Sequence, residues 1–202
     1  MKKIIKRVII ILLSVMLCLL LLVIVLRFKR ILDVQNYITK LTVNAQEGDI
    51  LCRLGDRSWS LYFKSLSYQD KRFSHLGILH FTADGITVIN AEGTFWNGKN
   101  CVEQVPLRDF IEPARILGLY RLIGVDGTEI STEALKMTGL PFDWHFDLET
   151  VDEVYCTELL YASLKIIDPK INLKTIHMIG KEIIPLEAVS NSPQFTEILF
   201  LK

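Results

Sequence analysis

The chain has 202 residues, its 23 Lys and Arg balance 23 Asp and Glu, and half of its residues are hydrophobic. This length favours one compact domain with an appendage. The neutral charge balance, without a basic run interleaved with aromatic residues in the second half, excludes nucleic acid as an expected partner. The hydrophobic excess is concentrated at the front of the chain.

The amino terminus predicts a membrane anchor. A basic head, residues 1–7, precedes the uncharged run Val8 to Leu26. Such a run is long enough to cross the roughly 30 Å hydrocarbon layer as a helix, and it exceeds the usual apolar core of a signal peptide. Its end lacks small residues for a peptidase, and Leu17 is too bulky for lipoprotein processing at Cys18. We therefore predict an uncleaved anchor over residues 8–26, followed by a juxtamembrane linker helix over residues 27–46.

Basic residues flank the anchor on both sides, with a slight excess before it. The positive-inside rule therefore favours a single-pass protein with a cytoplasmic amino terminus and an extracytoplasmic domain. A cytoplasmic domain is the alternative. The residues concerned are Lys2, Lys3, Lys6 and Arg7 before the run and Arg27, Lys29 and Arg30 after it.

Residues 47–202 alternate between strand and helix patterns, which predicts a mixed domain. The Asp84-Gly85 pair predicts a hairpin turn in its first half. We expect strands at 50–54, 73–81, 86–93, 102–105, 115–122, 182–188 and 195–201, helices at 58–65, 107–112, 127–137 and 152–167, and an aromatic-rich loop at 142–147.

The hairpin places a histidine near a carboxylate. If Asp84 and Gly85 form the turn, His75 lies opposite Thr94, and Glu92 becomes its diagonal neighbour, about 7–8 Å away at Cα. A carboxylate beside a histidine orients the ring and stabilises its charged form. The alternative is a polar pair on a solvated sheet face. Gly77 shares the face of His75 and would leave an open spot for a helix or a substrate.

Residues 152–167 carry a cysteine at the head of an amphipathic helix. Leu160, Leu164 and Ile167 form one apolar stripe, and either Thr150 or Asp152 suits the N-cap. Cys156 then lies in the first or second turn, where unpaired N–H groups and the helix dipole favour a thiolate. The alternative is a cysteine buried for packing. Cys52 and Cys101 are either free core thiols or a disulfide.

Cys156, His75 and Glu92 together supply a nucleophile, a base and an orienting group. Four segments around them, residues 48–51, 71–78, 89–92 and 155–159, resemble the permuted papain-like amidases of the YaeF/YiiX type in the NlpC superfamily, relatives of lecithin:retinol acyltransferase-like enzymes. The resemblance covers residues 47–201. It implies an α+β, circularly permuted papain-like (NlpC-type) fold, with an antiparallel sheet packed on the cysteine helix.

The resemblance also implies catalytic roles for Cys156 as nucleophile, His75 as base and Glu92 as third polar residue. The expected function is a membrane-anchored cysteine hydrolase (amidase or peptidase) or acyltransferase. It would act on an amide or ester bond through a thioester, with cell-envelope peptide or lipid as substrate. The backbone N–H of Cys156 is the expected oxyanion donor. A catalytically inactive binding module of the same fold, for cell-wall peptide or lipid, is the alternative.

No cofactor is expected. A metal site built from His75, His80, Glu92 and Cys156 lacks the HExxH or CxxC spacing of known sites, so we predict none. Aromatic residues and one glycine are candidates for a substrate groove: Trp59, Tyr62, Gly77, Trp144 and Tyr155.

Overall fold

The computed structural model describes residues 2–56, 58–93, 100–178 and 180–202. It divides into two compact units, one up to Thr39 and one from Lys40 to Lys202. Helix α1, Lys2–Asn44, covers the predicted anchor and the predicted linker except for its last two residues. It is long and apolar enough to cross a membrane, and its apolar side chains from Ile9 to Leu26 are exposed. An exposed surface of this kind is what a lipid-embedded helix requires.

The second unit is built on one antiparallel sheet of six strands in the order β4-β3-β2-β1-β5-β8, with a separate β6-β7 hairpin. The strands are β1 Ile50–Gly55, β2 His75–Thr82, β3 Gly85–Glu92, β4 Cys101–Pro106, β5 Ala114–Leu122, β6 Ile176–Met178, β7 Lys181–Ile183 and β8 Phe195–Leu201. The helices are α2 Ser58–Ser65, α3 Leu107–Ile111, α4 Gly127–Lys136, α5 Cys156–Ile167 and α6 Glu187–Ser190.

The sheet is apolar on both faces near its centre because each face is covered. Alternate residues such as Leu76 and Ile78 of β2 join the core that includes Leu160 and Leu164 of α5. Helix α3 lies beside β3, β4 and β5, and its Phe110 contacts the ring of His75 from β2. Since successive strand residues point to opposite faces, α5 and the His75 ring belong to opposite faces of β2.

The hairpin between β2 and β3 differs from the predicted register. Thr82 pairs with Gly85, so Ala83 and Asp84 form the turn, and Gly85 begins β3 with a φ of 128°. Continuing the observed pairing sets Gly77 opposite Asn90 and His75 opposite Glu92. The predicted partner of His75, Thr94, lies outside the described residues. The predicted register was wrong by two residues, and a shift of two keeps every side chain on its predicted face.

Two further elements begin or end elsewhere than predicted. Helix α5 begins at Cys156, because Val154 is tied to the preceding loop by a backbone bond from its N–H to Pro141 O. The strand predicted over 182–188 ends at Ile183, and helix α6 follows from Glu187. Pro185 explains this break, since proline has no N–H to donate to a strand partner.

Gly48 is expected to be intolerant of any side chain. Its φ is 72°, and a Cβ there would overlap the backbone of Gly127 at the start of α4. Gly124 has a similar φ of 80° with open space around it, so Gly124→Ala should cost only backbone strain, about 1 kcal/mol. We expect Gly48→Ala to lower the thermal unfolding midpoint of the full chain well beyond Gly124→Ala. Equal shifts would contradict this packing.

Glu158 should make stability depend on pH. Burial is the main cause that raises its pKa from 4.5 to about 8, although its carboxylate accepts the N–H of Tyr155. Its folded pKa exceeds its unfolded value, so this carboxyl stabilises most below about pH 4.5, and that contribution is lost as the pH rises toward 8. Glu158→Gln keeps the acceptor and should remove this loss between pH 5 and 8, measured by thermal unfolding. An unchanged pH profile would contradict the burial effect.

Candidate active site

Cys156 is the first residue of α5 and its side chain is buried. The backbone N–H groups of Leu76, Thr157 and Cys156 itself are directed at the sulfur and lower the pKa of its thiol. Burial acts in the opposite sense and outweighs them, so the pKa of the Cys156 thiol rises from 9.0 to about 11. The Cys156 thiol is therefore neutral in the free protein, although its place at the head of a helix had favoured a thiolate.

His75 begins β2 and is held through one ring nitrogen. Its Nε2 lies 2.9 Å from Oδ1 of Asn90. The amide of Asn90 is oriented by a second contact, 3.5 Å from Nδ2 to the carbonyl oxygen of Glu103. With the amide oxygen facing the ring, Nε2 must carry the proton and donate it, which leaves Nδ1 as an unprotonated base.

The electrostatic surroundings keep the His75 ring neutral. Burial and the positive charge of Arg53 lower its pKa from 6.5 to about 4, against smaller opposing effects of Glu92 and Asn90. A neutral imidazole beside a neutral thiol is a pair that can exchange one proton during a reaction.

Glu92 forms an ion pair with Arg53. Its Oε1 lies 2.6 Å from a guanidinium nitrogen of Arg53, whose side chain is only 6% exposed. Arg53 also donates to Phe110 O at 2.7 Å, and its guanidinium carbon lies 4.3 Å from the Phe110 ring centroid. The hydrogen bond described for the His75 ring goes to Asn90, whereas Glu92 acts on His75 through its charge.

Sequence reasoning missed Asn90 and Arg53. Asn90 stands two residues before Glu92, so both share one face of β3, and Arg53 pairs with His75 across β1 and β2. The signal in the sequence was an asparagine inside the otherwise β-rich run 86–91, and the structure shows that it is fully buried, where an amide requires a partner. The predicted register of the hairpin, wrong by two residues, hid the neighbour relation between Asn90 and His75.

One cavity of about 450 Å³ brings Cys156 and His75 together. The two residues belong to opposite faces of the sheet, yet β2 begins at His75, and the backbone N–H of the next residue, Leu76, is close enough to Cys156 to lower the pKa of its thiol. The cavity therefore lies around the end of the strand. Arg53 and Glu92 line it too, together with the apolar residues Phe63, Leu66, Phe142, Phe146, Ile183 and Leu186.

Of the predicted groove residues, Tyr155 lines this cavity, and its hydroxyl accepts the N–H of Ile184 at 2.9 Å. Tyr62 is half exposed and Trp144 packs edge-to-face against Phe142, and neither is among the lining residues. The side chain of Trp59 lies outside the described part of the structure.

Gly77 is not an open spot. A Cβ added there would overlap Val88 and lie close to Asn90, so the side chains of β3 already fill the space that the sequence assigned to a helix or substrate. The missing side chain of Gly77 instead lets Asn90 approach β2 closely.

The remaining sequence candidates do not assemble into a metal site. His80 bonds Glu47 at 2.8 Å, away from the cavity. Across the described ranges there is no group of three or more His, Cys, Asp and Glu side chains that could hold a metal ion. Cys52 and Cys101 are free thiols, buried and half-buried respectively.

Comparison with known proteins identifies a family and solved structures to which this chain is similar. Residues 44–196 match the family described as "Permuted papain-like amidase enzyme, YaeF/YiiX, C92 family". A solved structure, titled "Crystal structure of metalloprotein yiiX from Escherichia coli O157:H7, DUF1105", is similar with a TM-score of 0.64 and 19% sequence identity. The similarity covers 77% of this chain and 97% of that one. No curated protein matches.

The family match covers three quarters of the chain, including β1 to β5, both cavity-lining helices α2 and α3, and the cysteine helix. The mixed fold with an antiparallel sheet is shared with the solved structure. The chain belongs to the YaeF/YiiX family of permuted papain-like amidases.

Proposed function

We propose that this protein is a membrane-anchored cysteine hydrolase that cleaves an amide or ester bond through a thioester on Cys156. One observation carries the proposal: Asn90 bonds Nε2 of His75, which leaves Nδ1 as the base nitrogen, and His75 lines the same cavity as Cys156. Cysteine, histidine and asparagine are the three groups of papain-like proteases. Family membership supports hydrolase activity.

The reaction begins with a neutral Cys156 thiol and a neutral His75 imidazole. As Cys156 attacks the carbonyl carbon, its thiol proton passes to Nδ1 of His75, and the oxyanion faces the backbone N–H groups at the head of α5. His75 then donates that proton to the departing amine or alcohol. Water, or another acceptor, is deprotonated by His75 and attacks the thioester, which frees the acid and restores the thiol.

We assign the orienting role to Asn90, although the sequence suggested Glu92. Asn90 contacts Nε2 directly and fixes the tautomer, as the third group of such a site must. Glu92 offsets the charge of Arg53, which would otherwise lower the pKa of His75 further. Removing Glu92 should therefore alter the pKa of His75, while removing Asn90 should alter the position of its proton.

The apolar helix supports anchoring in a membrane. We place the domain on the extracytoplasmic side, following the charge bias around residues 8–26, with cell-envelope peptide or lipid as the substrate class. The related structure is titled a metalloprotein. In the part of this chain that is described, the donor groups do not fit a metal site, so no step of the mechanism uses one.

Acyl-enzyme formation tests the proposal. The full chain in lipid nanodiscs is mixed with p-nitrophenyl acetate, and nitrophenol release is followed together with intact mass. We expect a burst of nitrophenol with one added acetyl group on Cys156, located by peptide mapping. Cys156→Ala should abolish the burst, and His75→Gln should slow acylation by on the order of 10²-fold or more.

Cys101→Ser is the matched control for thiol chemistry, because Cys101 is half-buried and lies outside the cavity lining. It should leave the burst unchanged. Acetylation spread over several cysteines, or a burst that survives Cys156→Ala, would overturn the proposal and favour an inactive binding module.

The roles of Asn90 and Glu92 can be distinguished by substituting each residue in turn. We expect Asn90→Ala to lower the acylation rate at pH 7 by on the order of 10²-fold, because the ring loses its fixed tautomer. Glu92→Gln should change that rate far less at pH 7, since His75 is neutral there in either protein. It should move the acid limb of the pH–rate profile downward from about 4, because the charge of Glu92, which raises the pKa of His75, is then absent.

Thermal unfolding supplies the control for both variants, since Glu92→Gln also removes the carboxylate that pairs with the buried Arg53. Rates are compared below each variant's unfolding midpoint. A large loss in Glu92→Gln with little loss in Asn90→Ala would return the orienting role to Glu92.

A further inference from the structure

Helix α2 has an inner side that belongs to the cavity. Ser60, Phe63 and Leu66 are among the cavity-lining residues. Backbone bonds from the N–H groups of Leu66 and Ser67 to carbonyl groups three residues earlier continue the helix by a turn past its last residue. Residues 60–68 therefore form one short helical segment, and its inner side is part of the candidate active site.

The outer side of this segment is apolar and aromatic, although it faces solvent. Leu61 is 65% exposed, Tyr62 50% and Tyr68 59%. Leu61 and Tyr68 are seven positions apart and Tyr62 follows Leu61, so the three share one side of a helical segment. Elsewhere in the described part of residues 40–202, the exposed large apolar side chains stand singly along the chain: Val43, Phe81, Ile123, Val151, Ile166 and Phe200. A grouped apolar face left in solvent marks an interaction surface.

The same segment and the loop after it carry an excess of positive charge. Residues 60–72 contain Lys64, Lys71 and Arg72 against one carboxylate, that of Asp70. The Asp70 carboxylate pairs with Arg72 at 2.9 Å, which leaves the two lysines as the excess. Lys71 is exposed. An anionic partner therefore complements this surface electrostatically.

An anionic lipid surface has the chemistry that this face requires. Tyrosine side chains favour the boundary between headgroups and hydrocarbon, apolar side chains enter it, and lysines beside them attract anionic lipid. The proposed anchor tethers the domain to a bilayer, which gives lipid a high local concentration. Helix α3 and its C-cap instead contribute two exposed carboxylates to the cavity lining, Asp109 and Glu112, which an anionic surface would repel.

We infer that the outer face of α2, formed by Leu61, Tyr62 and Tyr68, docks onto the surface of an anionic bilayer, the one to which the anchor tethers the domain. The inference rests on the membrane anchoring in the proposed function and is independent of the chemistry at Cys156. Because the inner side of the same segment lines the cavity, docking sets one wall of the candidate active site against the lipid headgroups.

Hydroxyl-radical footprinting tests the inference on the unmodified full chain, inserted at one chain per nanodisc into phosphatidylcholine mixed with phosphatidylglycerol. Mass spectrometry compares the oxidation of each residue in the protein with its oxidation in the digested peptide. By exposure alone, Leu61, Tyr62 and Tyr68 should react as freely as Ile166, which is 61% exposed. We expect docking to lower their oxidation about tenfold, toward the level of the fully buried Phe73.

A matched pair of variants separates docking from folding. Leu61→Asp places a negative charge against the headgroups and should restore the oxidation of Tyr62 and Tyr68. Val151→Asp makes a comparable change at a residue that is 89% exposed in the loop before α5, and it should leave both tyrosines protected. Leu61 lies outside the cavity lining, so its variant should keep the nitrophenol burst, which reports a folded chain.

Lipid composition supplies a second measurement. Discs of phosphatidylcholine alone should protect Tyr62 and Tyr68 less than the anionic discs do, because the lysines then lack anionic lipid. Equal oxidation of Leu61, Tyr62, Tyr68 and Ile166 in the anionic discs overturns the inference, and so does protection that Leu61→Asp leaves intact. Protection that appears only in discs holding two chains overturns it too, because a second copy then covers the face.

Failure of the proposed chemistry is distinguishable from failure of docking. Loss of the nitrophenol burst with Tyr62 and Tyr68 still protected contradicts the hydrolase and supports the docking surface. A normal burst with both tyrosines fully reactive supports the hydrolase and overturns the docking surface. A chain that does not insert into nanodiscs contradicts the anchor, and the inference falls with it.

Discussion

The hydrogen bond between His75 and Asn90 is the contact on which the proposed chemistry depends. It requires β2 and β3 to pair in one register, because a slip by a single residue would turn Asn90 to the other face of the sheet. It also requires close approach of the strands, which Gly77 permits by having no side chain where Asn90 and Val88 pack. The protonation state of one ring is thus fixed by the hydrogen-bonding pattern of a whole hairpin.

Burial decides the resting state of the reacting groups. The head of a helix stabilises a thiolate and Arg53 adds a positive charge, yet desolvation raises the pKa of Cys156 and lowers that of His75. An ion pair would place two charges in a lined cavity where water solvates them poorly. A neutral pair avoids that cost, and the charge then develops only as the carbonyl is attacked, when N–H donors at the helix head can act on it.

The sequence predicted most of the fold because its elements obey local rules. The apolar run, the β-rich segments on either side of Asp84-Gly85 and the amphipathic cysteine helix each appear near their predicted positions. The roles of Asn90 and Arg53 depended on pairings between separate strands, which no local pattern specifies. The start of α5 was misplaced because a backbone bond from Val154 to Pro141, distant in sequence, ends the extended chain there. The break after Ile183 could have been predicted, since Pro185 was visible in the sequence.

The head of α5 also ties part of the cavity lining to the residue that carries the nucleophile. Thr157 donates to the carbonyl of Ile184 at 2.6 Å, and the hydroxyl of Tyr155 accepts the N–H of the same residue. These two bonds fix the segment after β7 on both sides of Cys156. That segment contributes Ile184, Pro185 and Leu186 to the cavity lining, so this part of the lining cannot shift without moving the helix head that holds the sulfur. A change in the size of the cavity beside this segment must therefore come from its side chains rather than from movement of the backbone that positions the nucleophile.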